Sequence, residues 1–310
     1  MACVAAPPAL PAQARSRHVV RGHVLLGGVR GTPVTGEWVV LHRVTTASGA
    51  PVDSVRTDAA GAFAFRVATG DTAALYLASA RYDDIAYFSE PVRVTTGDVA
   101  LEPILVFHTS ATGPPVDVSQ RLLTVARAKT DGSRDVLELI ELLNSGTATR
   151  IAPDTLRPAW QGVLPAGVVQ FQAGQGDVSP EAVARRGDTV LVFAPLPPAQ
   201  VRQVSFGYTL PASITRVVVP MPQQVGDLEF LLEDTTAVVS GPKVQRLDVT
   251  EVEGRRFARY ALHAVPAGTL VTIQLGAARF DPARLVPVIV VVLVVMLGGG
   301  LWLAFRRSPS

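Results

Sequence analysis

Residues Leu285–Phe305 (LVPVIVVVLVVMLGGGLWLAF) run without a single charge and are closed by Arg306 and Arg307. As a helix rising ~1.5 Å per residue, the run reaches about 31 Å, the thickness of a bilayer's hydrocarbon core. Soluble core helices seldom stay apolar all round for so long, so the run reads as a single transmembrane helix. Pro287 falls in its first turn, where a missing N–H costs little, and Trp302 lies near the far interface, where indole is favoured. Arg306 and Arg307 on the C-terminal side outweigh the lone Arg284 before the run, so the positive-inside rule places residues 306–310 in the cytoplasm. The bulk of the chain is then periplasmic or extracellular, and has to fold on one side of a membrane.

Outward placement calls for an export signal. Ala12-Gln13-Ala14 is a small-x-small cleavage site after an apolar stretch, but there is no basic start and Pro7-Pro8 interrupts the apolar part. Residues 1–17 therefore read as a truncated signal-peptide remnant, with a tail-anchored cytosolic protein as the competing reading. Cys3, the only cysteine, lies in that segment. A processed chain has none, which excludes disulfides, thiol catalysis and cysteine metal sites.

The 28 basic and 26 acidic residues nearly cancel and are scattered, and nearly all the base is Arg, with Lys only at Lys129 and Lys243. No basic run with interleaved aromatics appears, which argues against nucleic acid as a partner. Leader and anchor aside, about 265 residues remain, enough for two domains. The 26 Gly and 24 Pro are spread through short apolar runs, the pattern of many turns and few long helices. An all-β fold of two β-sandwiches follows.

The first module spans residues 18–108. Strands are expected at Val19–Leu26, Trp38–Arg43 and Asp53–Thr57. Thr57–Val67 then reads as a hairpin: Asp58 can bond its own backbone two residues on, Gly61 takes a positive φ, and Phe63, Phe65 and Val67 alternate onto one face. Together with Gly31-Thr32-Pro33-Val34-x-Gly36-x-x-Val39-x-Leu41 and the Ala74-Leu75-Tyr76-Leu77 strand leading to Tyr82, this stretch resembles the carboxypeptidase regulatory-like domain. That resemblance implies a transthyretin-like β-sandwich, an accessory module without catalytic residues of its own, with Asp58, Gly61, Phe63 and Phe65 as fold-motif positions. The segment Tyr82–Val92 (YDDIAYFSEPV) is also similar to one in single-span bacterial envelope proteins of unassigned function that carry this module.

Residues 109–118 (TSATGPPVDV) lack periodicity and read as a linker. The second β-sandwich is expected over residues 119–280. Val136–Leu143 carries a helical stripe, yet the Asn144-Ser145-Gly146-Thr147 turn that follows favours a strand in a hairpin. Leu143–Thr149 and Leu164-Pro165-Ala166-Gly167-Val168 resemble the Asn-x-Gly-x and Leu-Pro-x-Gly pattern of Ig-like stalk repeats on bacterial surfaces. Further strands are expected at Thr189–Phe193, Val201–Leu210, Thr215–Val219, Asp227–Leu232, Val244–Glu251, Arg256–Leu262 and Thr269–Leu275. A short helix is expected at Ser179–Arg185, where Ser caps and Pro takes the first position.

Chemistry is sparse. The histidines show no metal-ligand spacing, no Gly-x-Ser-x-Gly occurs, and the glycine-rich stretch before Gly31 lacks the strand–helix context and Lys of a phosphate loop. No cofactor, metal or catalytic residue is expected, and the chain reads as a non-enzyme. Asp83, Asp84 and Glu90 offer hard oxygens of the kind Ca²⁺ takes, though a polar turn explains them as well. Tyr82, Asp83, Asp84, Tyr87, Phe88 and Glu90 form the candidate binding surface, with Trp38 as a further aromatic. The expected function is a membrane-anchored, non-catalytic envelope protein that presents β-sandwiches to a protein or glycan partner, or serves as a structural tether. Two alternatives stay open. One is an accessory subunit of a secretion, transport or cytochrome-maturation assembly, contacting it through Gly298–Gly300; the other is an enzyme with an unfamiliar polar site.

Overall fold

The computed structural model describes residues 17–28, 31–46, 48–68 and 73–276. The leader-like segment before Arg17, the charge-free run at 285–305 and the Arg306-Arg307 pair lie outside the described residues. Among the described residues no helix is long and apolar enough to cross a membrane. The fold is all-β, and its one helical element among them is a 3-10 turn at Pro180–Ala182.

Arg17–Leu26 is the spine of the first unit. Its period-two alternation buries Val20 and Val24 and turns Arg21 and His23 outward. The first part of the strand pairs antiparallel with Ala62–Ala68 and, on the opposite edge, parallel with Val99–Ala100. Its last part changes partners, to Thr32–Pro33 and, in parallel, Ile104–Val106. A second sheet runs Gly49–Arg56, Trp38–Val44, Leu75–Tyr82, Ile85–Phe88, with Val92–Arg93 also paired to Leu75–Tyr82. Leu41, Phe63, Phe65, Tyr76 and Ile104 close the core between the sheets, each fully buried large side chain contributing roughly 1.5–3 kcal/mol.

The Thr57–Val67 stretch corrects one expectation. Its turn chemistry is the expected one: the Asp58 carboxylate accepts from the N–H groups of Ala60 and Ala62, both at 2.8 Å, and Gly61 has φ +71°. Yet the strands on either side do not pair with each other. Gly49–Arg56 pairs with Trp38–Val44, whereas Ala62–Ala68 pairs with Arg17–Leu26, so the turn crosses from one sheet to the other. Hydrogen bonds to third parties divert it. The Thr57 hydroxyl donates to the Val34 carbonyl at 2.7 Å and accepts from the Glu37 N–H at 2.9 Å, while Val24 N–H donates to the Gly61 carbonyl. A Cβ at Gly61 would stand 2.5 Å from the Val24 carbonyl oxygen, so the crossing is built for glycine.

The second unit rests on one large sheet, in spatial order Val169–Ala173, Val201–Leu210, Arg134–Leu143, Asp117–Val125, Val225–Leu232, Arg255–Val265 and Gln245–Arg246. Thr250–Val252 pairs with Arg255–Val265 as well. Two three-stranded sheets pack against it. One is Trp160–Val163, Thr189–Val192, Val183–Arg186, and the other is Arg216–Pro220, Leu270–Gln274, Val238–Ser240. A single apolar core runs through all three, with Leu123, Ile140, Phe206 and Phe230 from the large sheet meeting Val192 and Ile273 from the small ones. The middle of the large sheet is a parallel pair that joins distant segments, Val118 opposite Val225 and Val125 opposite Leu232.

Three local expectations change here. Arg134–Leu143 is a strand, but the Asn144 turn does not lead into a hairpin. Asn144 donates to the carbonyls of Ala148 and Leu196, both at 2.8 Å, and its side-chain oxygen accepts from Gly146 N–H, which sends the chain into Thr149–Arg150. That strand pairs in parallel with Thr109–Ser110, inside the stretch expected to be a linker. Arg150 ties the stretch further, donating to the Pro114 carbonyl at 2.6 Å and the Ala111 carbonyl at 3.4 Å. The helix expected at Ser179–Arg185 stops after its 3-10 turn, because Val183 is buried and continues as a strand opposite Val192.

Candidate functional site

The expected surface residues divide between two places. Asp83 and Asp84, at φ +45° and +64°, form the two-residue turn between Leu75–Tyr82 and Ile85–Phe88, with Tyr82 opposite Ile85. Positive φ at both positions is what a tight hairpin between right-twisted strands requires, and Asp tolerates it better than most residues. The turn leans on the chain leaving the first unit. Asp83 accepts from Thr109 N–H at 3.2 Å and lies 3.3 Å from His108 Nδ1, while the Tyr82 and His108 rings are 5.4 Å apart. Burial, then the charge of Asp83, raises the Tyr82 phenol above its ordinary value.

Tyr87 is a peg rather than a surface group. Only 4% exposed, it donates to the Phe107 carbonyl at 3.0 Å and meets the hydroxyl of Thr149, itself 0% exposed, at 2.7 Å. Tyr82, Asp83 and Tyr87 thus work where the two units meet. Asp84 is solvated and pairs with exposed Arg81 at 3.2 Å, and Glu90 is exposed. Among the described residues no three His, Cys, Asp or Glu groups converge as a metal site would need, so Asp83, Asp84 and Glu90 do not assemble one.

Phe88 belongs to a different surface, the outer face of the second sheet. The register places Val40, Ser79 and Phe88 in one row across three strands. His42 Nε2 sits 2.8 Å from the Ser79 hydroxyl, with its ring 6.3 Å from that of Phe88. At the end of the Trp38–Val44 strand, Trp38 lies opposite Arg56, whose guanidinium stacks 4.5 Å from the indole centroid while donating to the Gly36 carbonyl at 2.6 Å. Trp38 is 48% and Phe88 58% exposed. Exposed aromatic rings on a sheet, next to imidazole and hydroxyl groups, can stack on an apolar or sugar face and hydrogen-bond its rim.

One polar network escaped sequence reasoning. In the large sheet of the second unit, Glu138 is 0% exposed, accepts from Arg121 Nε at 2.9 Å and from the Tyr208 phenol at 2.6 Å. Arg121 also donates to the Pro220 carbonyl at 2.9 Å. Burial, then the Glu138 charge, pushes the Tyr208 phenol well above its ordinary value. The three side chains come from three adjacent strands, so the network pins their register. A signal for it was present: Glu138 falls in phase with Val136 and Ile140, Arg121 with Leu123 and Val125, and Tyr208 with Phe206 and Leu210.

No protein family's sequence profile matches the chain, and no curated protein matches it. Among solved structures, it is similar to an M1 zinc metallopeptidase from Deinococcus radiodurans bound to a Tyr-Ser-Ala substrate, at a TM-score of 0.34 and 11% identity. The match covers 51% of this chain and 42% of that one, and a likeness that faint says nothing about activity here.

Proposed function

We propose that this chain is a membrane-anchored, non-catalytic envelope protein whose first unit, a transthyretin-like module of the carboxypeptidase regulatory-like kind, presents a binding face to a protein or glycan partner. The second, Ig-like unit carries that module, residues 285–305 hold it in the membrane, and the Arg306-Arg307 end lies in the cytoplasm. The observation that carries the reading is the exposed Trp38–His42–Phe88 face on an all-β body. The peg of Tyr87 into the second unit supports it, since a face is presented in a fixed direction only if its carrier is held firmly.

Photo-crosslinking from position 88 in intact cells tests the reading. A discrete adduct is expected from Phe88 replaced by a photoreactive residue, lost when Trp38→Ala is added, and absent from a probe at exposed Leu156 in the second unit. Equal labelling from positions 88 and 156 would remove the binding-face assignment. Release of the chain from membranes by alkaline carbonate would remove the anchor.

A further inference from the structure

Alternation in the small sheet Arg216–Pro220, Leu270–Gln274, Val238–Ser240 buries one face and leaves the other in solvent. Val217, Val219, Val239, Val271 and Ile273 take the buried face and belong to the core of the second unit. The outer face is apolar as well. Val218, Val238 and Leu270, one from each strand, are 40%, 50% and 61% exposed. The register sets Val218 beside Thr272 and Ser240, Leu270 beside Pro220, and Val238 beside Gln274, so the three spread over the whole face.

The solvent-facing side of the large sheet is built differently. There Glu229 pairs with Arg259 at 2.7 Å and Asp227 with His263 at 2.6 Å, across the Val225–Leu232 and Arg255–Val265 strands. The outer face of the small sheet has no acidic position, and its one charge is Arg216, opposite Gln274. A second cation stands at the other end, where Gly241 lies against the Leu270 carbonyl and Lys243 follows in an exposed turn. An apolar centre with a cation at each end and no acid is complementary to the interface of an anionic bilayer.

The chain itself brings a bilayer to this face. After the middle strand, Leu270–Gln274, the N–H of Leu275 donates to the Thr215 carbonyl, and the carbonyl of Gly276 accepts from buried Arg134 at 2.7 Å. The end of that strand is thus fixed to the body. Eight residues, 277–284, separate Gly276 from the charge-free run. Crossing them in extended steps of ~3.3–3.6 Å covers about 32 Å at most. So short a link holds the sheet near the membrane at an effective concentration on the order of millimolar, where a face too weak to bind from solution can still be occupied. We propose that the outer face of this sheet rests on anionic lipid, with Val218, Val238 and Leu270 at the headgroup boundary and Arg216 and Lys243 serving lipid phosphates. The inference rests on residues 285–305 being the membrane anchor.

Lipid quenching of fluorescence, with the full chain in vesicles of phosphatidylcholine and phosphatidylglycerol, tests this. A dye is attached at Val218→Cys or, as a control on the outer face of the large sheet, at Leu137→Cys, each with Cys3→Ser to remove the one native thiol. Phospholipids brominated on the upper acyl chain are expected to quench the dye at 218 severalfold more than the dye at 137. Adding Leu270→Asp and Val238→Asp, both on exposed positions, is expected to abolish that difference. Equal quenching at 218 and 137, in a chain that resists alkaline carbonate, would overturn the inference and leave the anchor standing. Extraction by carbonate would remove both. A dye at 218 that lipid never quenches, and that is shielded from aqueous iodide only when many chains share a vesicle, would overturn it too, because the face would then meet a second copy.

Discussion

The phenol of Tyr87 and the hydroxyl of Thr149 meet at 2.7 Å with neither side chain open to solvent, one from the first β-unit and one from the second. Around this contact, Thr149 N–H donates to the His108 carbonyl and Ile151 N–H to that of Ser110. The units are therefore joined by a hydrogen-bonded seam as well as by the chain that runs between them.

Tyr87→Phe should cost about 1–3 kcal/mol, because it strands the Thr149 hydroxyl and removes the donor to the Phe107 carbonyl. Thr149→Val should cost a similar amount. The double variant should cost less than the sum, and urea denaturation of all four forms measures the coupling. Additive losses would mean that the contact contributes nothing of its own.

Glu138→Ala should destabilise the second unit by roughly 3–5 kcal/mol, since Arg121 would be left buried without its carboxylate. Replacing all three members together, Arg121→Met, Glu138→Leu and Tyr208→Phe, should cost far less. The comparison, made by chemical denaturation, separates an unpaired charge from simple loss of packing.

Tyr208 should make stability fall in strong alkali. Its folded pKa is raised, so its contribution is fully present below the unfolded value near 10.0 and is lost as pH climbs toward the folded one. Denaturation midpoints should therefore decline above about pH 10 in the unmutated chain and decline less in Tyr208→Phe. The phenylalanine variant should be the weaker of the two at neutral pH, because Glu138 loses a donor.

Glu233 should act at the opposite end of the scale. Hydrogen bonds from Arg255 and from the Arg127 N–H hold its carboxyl below the ordinary value, outweighing burial. A depressed folded pKa gives stability that is present above the unfolded value near 4.5 and lost as pH falls through the folded one. Glu233→Gln should flatten the acid side of the stability profile, read as melting temperature between neutral pH and about pH 3.

Much of the strand content was legible because period-two patterning is local. Val20 and Val24, Phe63 and Phe65, or Val217 and Val219 announce a half-buried strand whatever pairs with them. Partners are not local, which is why Thr57–Val67 suggested a hairpin. The bonds of Thr57 to Val34 and Glu37, which pull its flanking strands into separate sheets, reach twenty or more positions back. Tyr87 and Phe88 show the same limit at the site. Adjacent in sequence and both aromatic, they point to opposite faces, and only the register decides which one is a peg and which a surface. Sequence reasoning passed over Glu138, although a carboxylate in the apolar phase of a strand was visible.

The parallel pairing of Asp117–Val125 with Val225–Leu232 also sets an order of events as the chain is made. The earlier strand emerges about a hundred residues before its partner, and a contact that far apart in sequence closes slowly. Until Val225–Leu232 arrives, that edge of Asp117–Val125 stays open, an apolar template for pairing with a neighbouring chain. Cutting the second unit between its halves would make that unfinished edge permanent. Expression trials should keep residues 117–275 together, whatever other boundaries are chosen.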